Sequence, residues 1–308
     1  MKKRGIVTGV MAGTLALSLA ACSSSSSTSN SSGSIETLKI ASQNYTEAQI
    51  DDYLLADLIQ AKTKINVEVT KTAGVSGLIH SLLKKGNVQL YVSYDGTEFM
   101  EQYKKSYTGE FAGNPDKVYD YVKEQEAKDG IWVSPKLGYQ DTYGVTVKAE
   151  TAQKYNLKKV SDLSSVAKNM VLGTDTTFPN QEPVGLKGLE GAYNFKFKDA
   201  KPMDYNLIFP ALDSNAVQAT VSYSTDGRLK KMNQVILEDD KSFFPPYFGV
   251  VLIDEKARKA AKLDEVLSSL WGAISLEDQT QMNYDVDVMK KDPKQVAHDF
   301  LVKKNLIK

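Results

Sequence analysis

The chain has 308 residues, with 38 basic and 38 acidic side chains and a formal net charge of zero. This balance argues against a nucleic acid partner, because proteins that bind nucleic acid present a basic face. A single cysteine excludes an internal disulfide and a cysteine-ligated zinc site. The two histidines, His80 and His298, lie far apart in predicted amphipathic helices. We interpret both as surface or partly buried helix positions, outside any histidine–carboxylate cluster, and expect no metal or cofactor.

The N-terminus has a basic start at 2–4, an apolar stretch at 5–21 and small residues before Cys22. The stretch is too short and too rich in small residues to suit a membrane span. This pattern resembles a bacterial lipoprotein signal. The resemblance implies that residues 1–21 are removed, that Cys22 is lipidated and that the protein is anchored on the extracytoplasmic face of the cell membrane. An ordinary secretory signal with an incidental cysteine is the alternative.

A tether and a first group of alternating elements follow the signal. Residues 22–37, mostly Ser, Thr, Asn and Gly, predict a flexible tether. A helix is predicted from Thr46, with Glu47 in its first turn, where a carboxylate suits the helix dipole. A second helix ends at Gly86, and helical sequence continues to residue 130. Apolar β-rich runs predict strands at 38–41, 65–69 and 88–94.

A second group of elements begins near residue 143. Its predicted strands are 143–147, 170–173 and 219–223, and its predicted helices are 161–166, with Ser161 as N-cap, 186–193 and 209–216. A buried strand is predicted at 247–253, followed only by helices. This alternation predicts an α/β protein with mostly parallel sheets, and the length suits two domains. The C-terminal helices are expected to pack on the first group.

Tyrosine is the feature that stands out. Sixteen tyrosines exceed the ten phenylalanines, and four lie at strand ends beside turn residues: Tyr94, Tyr143, Tyr223 and Tyr247. Loops at strand ends would carry such rings into a cleft. For each tyrosine taken alone, a structural position that caps the core is the alternative.

These segments, together with the run Ser-Gln-Asn-Tyr-Thr-Glu at 42–47, resemble a known family. It comprises the extracellular substrate-binding proteins of ABC importers for quaternary ammonium osmoprotectants such as glycine betaine, carnitine and choline. The similarity covers 38–308, and the run Tyr-Ser-Thr-Asp-Gly-Arg at 223–228 is its most specific stretch. The resemblance implies a solute-binding protein without enzymatic activity, whose partners are a membrane permease and its ATPase.

The resemblance also implies a type II periplasmic-binding-protein fold, with two α/β lobes joined by two hinge crossings. Lobe 1 would comprise 38–137 plus 251–308, and lobe 2 would comprise 138–250 with the hinge strands. The crossings are expected near 138–145 and 244–250. Solute would enter an open cleft and be buried when the lobes close.

Carried over residue by residue, Tyr94, Tyr143, Tyr223 and Tyr247 match the family's aromatic cage. A trimethylammonium group has no N–H to donate, so hydrogen bonds cannot recognise it. Electron-rich ring faces attract it instead through cation–π interaction. Tyrosine suits this position because its hydroxyl can stay at the wet rim of a cleft.

The polar end of the solute involves a further group of residues. Gln43 and Thr97 match positions that contact a carboxylate or hydroxyl, and Asp141 is a candidate partner for the cation. Some relatives carry a lysine where this chain has Gln43 and an arginine where it has Gln181. We therefore expect tolerance across the class, with glycine betaine or carnitine slightly ahead of choline.

Two other functions remain open from the residues alone. A binding protein for an amino acid would need a carboxylate-clamping arginine, and Arg228 and Arg258 are the only arginines after the signal. An envelope hydrolase would need paired carboxylates, and no pair stands out among the many acidic residues. The sequence contains no nucleophile elbow, Walker loop or dinucleotide-binding glycine motif.

Overall fold

The computed structural model describes residues 35–71 and 76–308. The described residues form two five-stranded sheets, with strand orders β2-β1-β3-β10-β4 and β7-β6-β8-β5-β9. The strands are β1 Thr37–Ser42, β2 Asn66–Lys71, β3 Leu90–Tyr94, β4 Ile131–Val133, β5 Tyr143–Lys148, β6 Val171–Thr174, β7 Asp199–Pro202, β8 Ala219–Tyr223, β9 Gln234–Ile236 and β10 Gly249–Asp254.

Helices surround both sheets. The α-helices are α1 Thr46–Lys62, α2 Ser76–Lys84, α3 Asp95–Thr97, α4 Pro115–Lys128, α5 Ala149–Tyr155, α6 Leu186–Tyr193, α7 Tyr205–Asp213, α8 Arg228–Lys231, α9 Glu255–Ala261, α10 Leu263–Val266, α11 Leu276–Asp287 and α12 Pro293–Lys303. A π-helix spans Glu98–Gln102, and short 3₁₀ helices span Gly109–Phe111, Val160–Ser165, Ala167–Asn169, Phe178–Asn180 and Ser268–Leu270. As expected, the C-terminal helices return to the first group, where α11 and α12 pack on α1.

Each sheet mixes parallel and antiparallel pairing. In the first sheet β1 runs parallel to β2 and β3, whereas β10 is antiparallel to β3 and β4. In the second sheet β6 is parallel to β7 and β8, whereas β5 is antiparallel to β8 and β9. The expectation of mostly parallel sheets is therefore wrong. The reason is that β5 and β10 each enter from the other sheet rather than through a crossover helix.

The first sheet has apolar cores on both of its faces. Along β3, Leu90 and Val92 belong to one buried cluster and Tyr91 to another, because alternate side chains point to opposite faces. An apolar stripe of α1, including Leu54 and Leu58, is fully buried in the first of these clusters. Burying such a leucine stabilises the fold by about 1.5–3 kcal/mol. A third cluster lies within the second sheet.

Two segments connect the sheets and pair with each other. The backbone N–H of Gly249 donates to Tyr139 O at 3.2 Å, and that of Asp141 donates to Tyr247 O at 2.9 Å. Gly249 is required here, since a Cβ would lie 2.8 Å from the Tyr139 ring. The two sheets and their paired connections make up a two-lobe α/β fold of type II. We keep the names lobe 1 and lobe 2; their exact boundaries stay a prediction.

Two predicted helix starts differ from the structure. Helix α7 begins at Tyr205 rather than at 209, because the Asp204 side chain accepts a hydrogen bond from Asn206 N and caps the helix earlier. Ser161 is not an N-cap. The Asp162 carboxylate instead accepts from the backbone N–H of Lys159 at the start of this 3₁₀ helix.

His80 lies in the core rather than at the surface. Its Nε2 is 2.9 and 3.0 Å from the two carboxyl oxygens of Glu126, and both residues are buried. Glu98 joins them, and burial raises the pKa of its carboxyl to about 7. The expectation that neither histidine joins a carboxylate cluster is therefore wrong. Because Glu98 also accepts hydrogen bonds from the hydroxyls of Tyr91 and Ser93, we interpret the cluster as an internal hydrogen-bonded ion pair.

Some predictions fall on residues outside the described ranges. The signal at 1–21, the lipidation at Cys22 and nearly all of the tether at 22–37 belong to this group. At the end of the predicted tether, β1 already begins at Thr37. Within 35–71 and 76–308, no helix combines the length and the apolar character that crossing a membrane requires.

Candidate functional site

Tyr143 and Tyr223 form one aromatic wall in lobe 2. Tyr143 is the first residue of β5, Tyr223 is the last of β8, and the two are register partners across the antiparallel pair. Directly opposed residues in such a pair project from the same face of the sheet. Their ring centroids accordingly lie 5.1 Å apart with an interplanar angle of 29°. Strand register alone therefore places two predicted cage residues side by side.

Tyr247 stands at right angles to this wall. It lies in the second connecting segment, and its ring is 6.2 Å from that of Tyr143 at an interplanar angle of 88°. Phe178 and Phe244, both buried, each pack with their ring centroids 5.9 Å from Tyr143. Three predicted cage tyrosines thus meet ring to ring on an apolar support.

Tyr205 extends the aromatic group and was missed by sequence reasoning. Its ring lies 5.1 Å from Tyr223, and its hydroxyl accepts from Tyr223 N and donates to Asp226. Asp226 also binds Arg228 through two hydrogen bonds of 2.6 and 3.0 Å, and the guanidinium lies 5.0 Å from the Tyr205 ring centroid. Tyr205 begins a helix rather than ending a strand, so the signal that identified the other tyrosines does not apply to it.

Both arginines considered as carboxylate clamps are occupied. Arg228 is held by Asp226, and Arg258 is bonded to Glu255 at 2.7 and 2.9 Å and to Asp264 at 3.0 Å. Their charges are neutralised locally, which argues against an amino acid site built on either guanidinium.

Tyr94 comes from lobe 1 and is held through its hydroxyl. It ends β3, is 6% exposed and donates to Glu47 Oε1 at 2.5 Å. Tyr247 packs against the same buried cluster that contains Tyr94. The structure therefore places Tyr94 on the lobe 1 side of Tyr247, whereas Tyr143 and Tyr223 lie on the lobe 2 side.

Two carboxyl groups lie beside these rings, that of Glu47, which is buried, and that of Asp141, which is half-buried. Thr225 Oγ1 donates to Asp141 Oδ1 at 2.7 Å, and Asn283 Nδ2 donates to Glu47 Oε2 at 2.6 Å. Burial and then repulsion by Glu47 raise the pKa of Asp141 well above its usual range. Burial likewise raises the pKa of Glu47. A positive charge placed nearby would favour the ionised form of both groups.

The three predicted polar-end residues lie in different surroundings. Gln43 is buried; its Nε2 donates to Val92 O at 3.3 Å and its Oε1 accepts from Ser76. Thr97 is half-buried at the end of α3. Gln181 lies beside the Tyr143 hydroxyl, and its Oε1 is buried with no partner among the described residues. Gln181 thus adjoins the aromatic wall, and its carbonyl oxygen can accept a hydrogen bond from a solute.

Comparisons with known proteins identify relatives along nearly the whole chain. Residues 36–303 match the family model for the substrate-binding domain of an ABC-type glycine betaine transport system. A carnitine transport binding protein of Listeria monocytogenes is 34% identical over 276 residues, covering 88% of each chain. An ergothioneine transport permease/ergothioneine binding protein of Helicobacter pylori is 32% identical over 264 residues, 83% of this chain and 46% of that one.

Solved structures give a consistent result. A crystal structure of a glycine betaine/carnitine/choline ABC transporter superimposes with a TM-score of 0.82 and 30% sequence identity, covering 87% of this chain and 99% of the other. A lactococcal glycine-betaine complex, at 13% identity and a TM-score of 0.55, shares the fold.

Proposed function

We propose, given that the chain belongs to the family of substrate-binding domains of ABC-type glycine betaine transport systems, that it captures small quaternary ammonium solutes. As a substrate-binding component it carries out no bond-making chemistry. It binds solute outside the membrane and delivers it to the permease, whose partner ATPase supplies the energy. Glycine betaine, carnitine and choline are the proposed solutes.

The observation that carries this proposal is the aromatic wall with Tyr247 at right angles to it. Tyr143 and Tyr223 offer adjacent ring surfaces, and Tyr247 adds a third at 88°. Each cation–π contact contributes about 0.5–2 kcal/mol, depending on desolvation. Four such rings, with Tyr94 as the fourth, supply several of the roughly 8 kcal/mol that correspond to micromolar binding.

The geometry indicates how a cation would fit. A cation bound by a ring lies within about 6 Å of its centroid. Tyr143 and Tyr223 are only 5.1 Å apart, so they do not enclose a trimethylammonium group between their faces. They act as one side of the site, and Tyr94 of lobe 1 belongs to the opposite side. We therefore propose that closure of the lobes completes the cage around the cation.

Electrostatics support a cationic solute. Glu47 is buried and Asp141 half-buried beside the rings, and the two guanidinium groups of Arg228 and Arg258 are paired with other carboxylates. At the other end of the solute, the amide of Gln181 offers a donor and an unpartnered acceptor. Neutral groups of this kind accommodate either a hydroxyl or a carboxylate, which supports tolerance across betaine, carnitine and choline.

The location of the protein is part of the proposal. A lipid anchor at Cys22 with a flexible tether would keep the binding lobes near the permease on the outer face of the cell membrane. Labelling of Cys22 by a radioactive fatty acid in cells would test this, with Cys22→Ser as the control. Label that persists in the variant would contradict the anchor.

Titration calorimetry of the full-length chain in detergent tests the solute class. Glycine betaine, carnitine, choline and ergothioneine would be compared with proline, whose ring nitrogen carries N–H donors. We expect micromolar binding of at least one trimethylammonium solute and far weaker binding of proline. A folded protein that binds none of the four would overturn the proposed class.

A further inference from the structure

A continuous series of hydrogen bonds, buried except at its Asp141 end, runs from Tyr94 to Asp141. The Tyr94 hydroxyl donates to Glu47 Oε1 at 2.5 Å, and Asn283 Nδ2 donates both to Glu47 Oε2 at 2.6 Å and to Thr225 O at 2.9 Å. Thr225 Oγ1 then donates to Asp141 Oδ1 at 2.7 Å. We call these five residues the cross-lobe network. Glu47 is its centre, because each of its oxygens accepts a different donor.

The network joins elements of both lobes. Glu47 lies in the first turn of α1 and Asn283 in α11, which packs on α1 in lobe 1. Thr225 follows β8 of the second sheet, two residues after Tyr223 of the aromatic wall. The hydrogen bond from Asn283 to Thr225 O therefore crosses from one lobe to the other. One end of the network fixes a lobe 1 tyrosine, and the other adjoins a lobe 2 tyrosine.

The backbone after Thr225 lies directly on α11. A Cβ on Gly227 would be 2.3 Å from Tyr284 N, so only glycine permits this approach. Gly227 has φ −61°, an ordinary value for any residue, so the requirement is steric. Lys230 Nζ, three residues later, donates to Gln281 at 2.9 Å. The segment 225–230 is thus seated along one helix of the opposite lobe.

Stability alone does not account for a carboxyl group at position 47. Glu47 is 5% exposed, and its partners Tyr94 and Asn283 are neutral. A buried acid without a cationic partner destabilises a fold relative to a well-packed apolar side chain. Its two oxygens provide two hydrogen-bond acceptors, one for each of these partners, which an apolar side chain cannot do.

We propose that Glu47 is a positioning residue of the solute site. It holds Tyr94 through one oxygen and, through Asn283, holds the segment that follows Tyr223, so that the two sides of the cage are kept in alignment across the lobes. The choice of solute for the test rests on the proposed function, whereas the existence of the network does not depend on that function.

The substitution Glu47→Gln keeps the size of the side chain and replaces one acceptor with an amide. Facing Asn283, that amide would set a donor against a donor; facing Tyr94, it would force the hydroxyl to turn from donor to acceptor, and either arrangement loses a hydrogen bond to a carboxyl oxygen. Loss of a hydrogen bond to a buried group corresponds to roughly a tenfold change or more in an equilibrium constant. We expect the Kd of the full-length protein for its best trimethylammonium solute to rise at least about tenfold.

A second measurement does not require a solute. Amide hydrogen exchange of the ligand-free protein should become faster in 225–230 and in α11 of Glu47→Gln, while the strands of both sheets exchange as in the wild type. Asn283→Asp, which places two carboxyls together, should have the same effect. The double variant Glu47→Gln/Asn283→Asp restores a donor opposite an acceptor at that contact and should recover part of the affinity.

The matched control is Asp52→Asn. Asp52 is a buried acid on the same helix, and the groups that influence its carboxyl, Ser42 and the backbone of Val92, belong to lobe 1. This variant should leave both the Kd and the exchange of 225–230 unchanged. If Asp52→Asn and Glu47→Gln have equal effects, Glu47 acts only through the stability of lobe 1 and the proposal fails.

The outcomes separate this proposal from the proposed function. A wild type that binds trimethylammonium solutes, with a folded Glu47→Gln protein of unchanged Kd and exchange, would overturn the positioning role alone. A wild type that binds none of these solutes overturns the proposed function. In that case hydrogen exchange decides: unchanged rates at 225–230 in both single variants reject the network's role, and faster rates support it.

Discussion

The two lobes use tyrosine in opposite ways. On the lobe 1 side the hydroxyls are the anchored groups: Tyr94 donates to Glu47, Tyr139 of the first connecting segment donates to Asp51, and all four side chains are buried. A phenolic O–H beside an acid gives a fixed ring in a polar interior. This arrangement requires carboxyl groups that are buried away from water, and burial raises their pKa values.

In lobe 2 the ring surfaces are the interacting groups. Tyr143 and Tyr223 stack at 5.1 Å, and further aromatic rings surround them. These two tyrosines are partly exposed at the strand ends. The difference teaches that a binding site for a cation without N–H groups can divide its tasks. In the proposed site, one lobe would supply rigid, hydrogen-bonded positioning and the other would supply ring area for the solute.

The largest expected effect concerns the buried acids of lobe 1. Burial raises the pKa of Asp52 to about 8, so the folded state holds its proton more tightly than the unfolded chain does. The free energy of unfolding should therefore fall as pH rises from about 4 to 8, with a contribution of up to about 1.4 kcal/mol per pH unit from this group. Urea denaturation across this range should show a shallower fall in Asp52→Asn.

Asp213→Asn is the control for that experiment, because Asp213 is exposed in lobe 2. Its unfolding curve should follow the wild-type pH dependence. Parallel curves for Asp52→Asn and the wild type would mean that burial in lobe 1 does not hold the proton on Asp52.

A smaller effect is expected where the lobes touch. Gly227→Ala would force a Cβ against the Tyr284 backbone, and overpacking of this kind costs about 1–3 kcal/mol. Because the strained contact lies between the two lobes, it should weaken solute binding more than it lowers the melting temperature. Gly191→Ala, where a Cβ meets nothing within 4 Å, should leave the Kd unchanged. Equal Kd values for the two variants would show that this contact does not influence solute binding.

The next largest effect is expected from the aromatic rings of lobe 2. Tyr223→Ala should weaken binding of a trimethylammonium solute by about 0.5–2 kcal/mol, up to roughly thirtyfold in Kd. Tyr223→Phe keeps the ring and should bind nearly as well as the wild type. Calorimetry on both variants, with the exposed Tyr155→Ala as control, measures the difference. An unchanged Kd in a folded Tyr223→Ala protein would remove this ring from the cage.

The smallest expected effect tests most directly the difference between the two lobes in their use of tyrosine. Tyr94→Phe keeps the ring but removes the hydroxyl that Glu47 accepts from, so it should lower the free energy of unfolding by about 1 kcal/mol. The same change at Tyr223 should lower it by less. Chemical denaturation of the two variants provides the comparison, and equal losses would show that the two lobes do not divide the work as described.

Much of this site could be predicted from local sequence pattern. Tyr143 and Tyr223 could be placed at strand ends because strands alternate with period two and end at turn residues, but their pairing depends on an antiparallel register. The elements of lobe 1 followed from apolar spacing in the same way. What such a pattern does not contain is the direction of β5 and β10, which depends on long-range connection between the lobes.

Other features were hidden by an adequate local explanation. Glu47 was accounted for by the helix dipole, yet its partner Asn283 lies 236 residues away in the chain. His80 fitted an amphipathic helix, and its contact with Glu126 depends on the packing of α2 beside α4. Tyr205 begins a helix, where no strand-end argument applies. Each of these roles arises from tertiary contact, which residue spacing along the chain does not encode.

The pairing of Tyr143 with Tyr223 has a consequence for how the site can be lost. Gly144, beside Tyr143, lets β9 lie close, since a Cβ there would be 2.5 Å from Ile236. A shift of one residue in β5 against β8 would turn every side chain of the strand to the opposite face. A single-residue deletion in the loop before β5 could thus leave all sixteen tyrosines in the chain and abolish recognition. Recognition of the solute therefore depends on the alignment of the strands as much as on the identity of the residues that they carry.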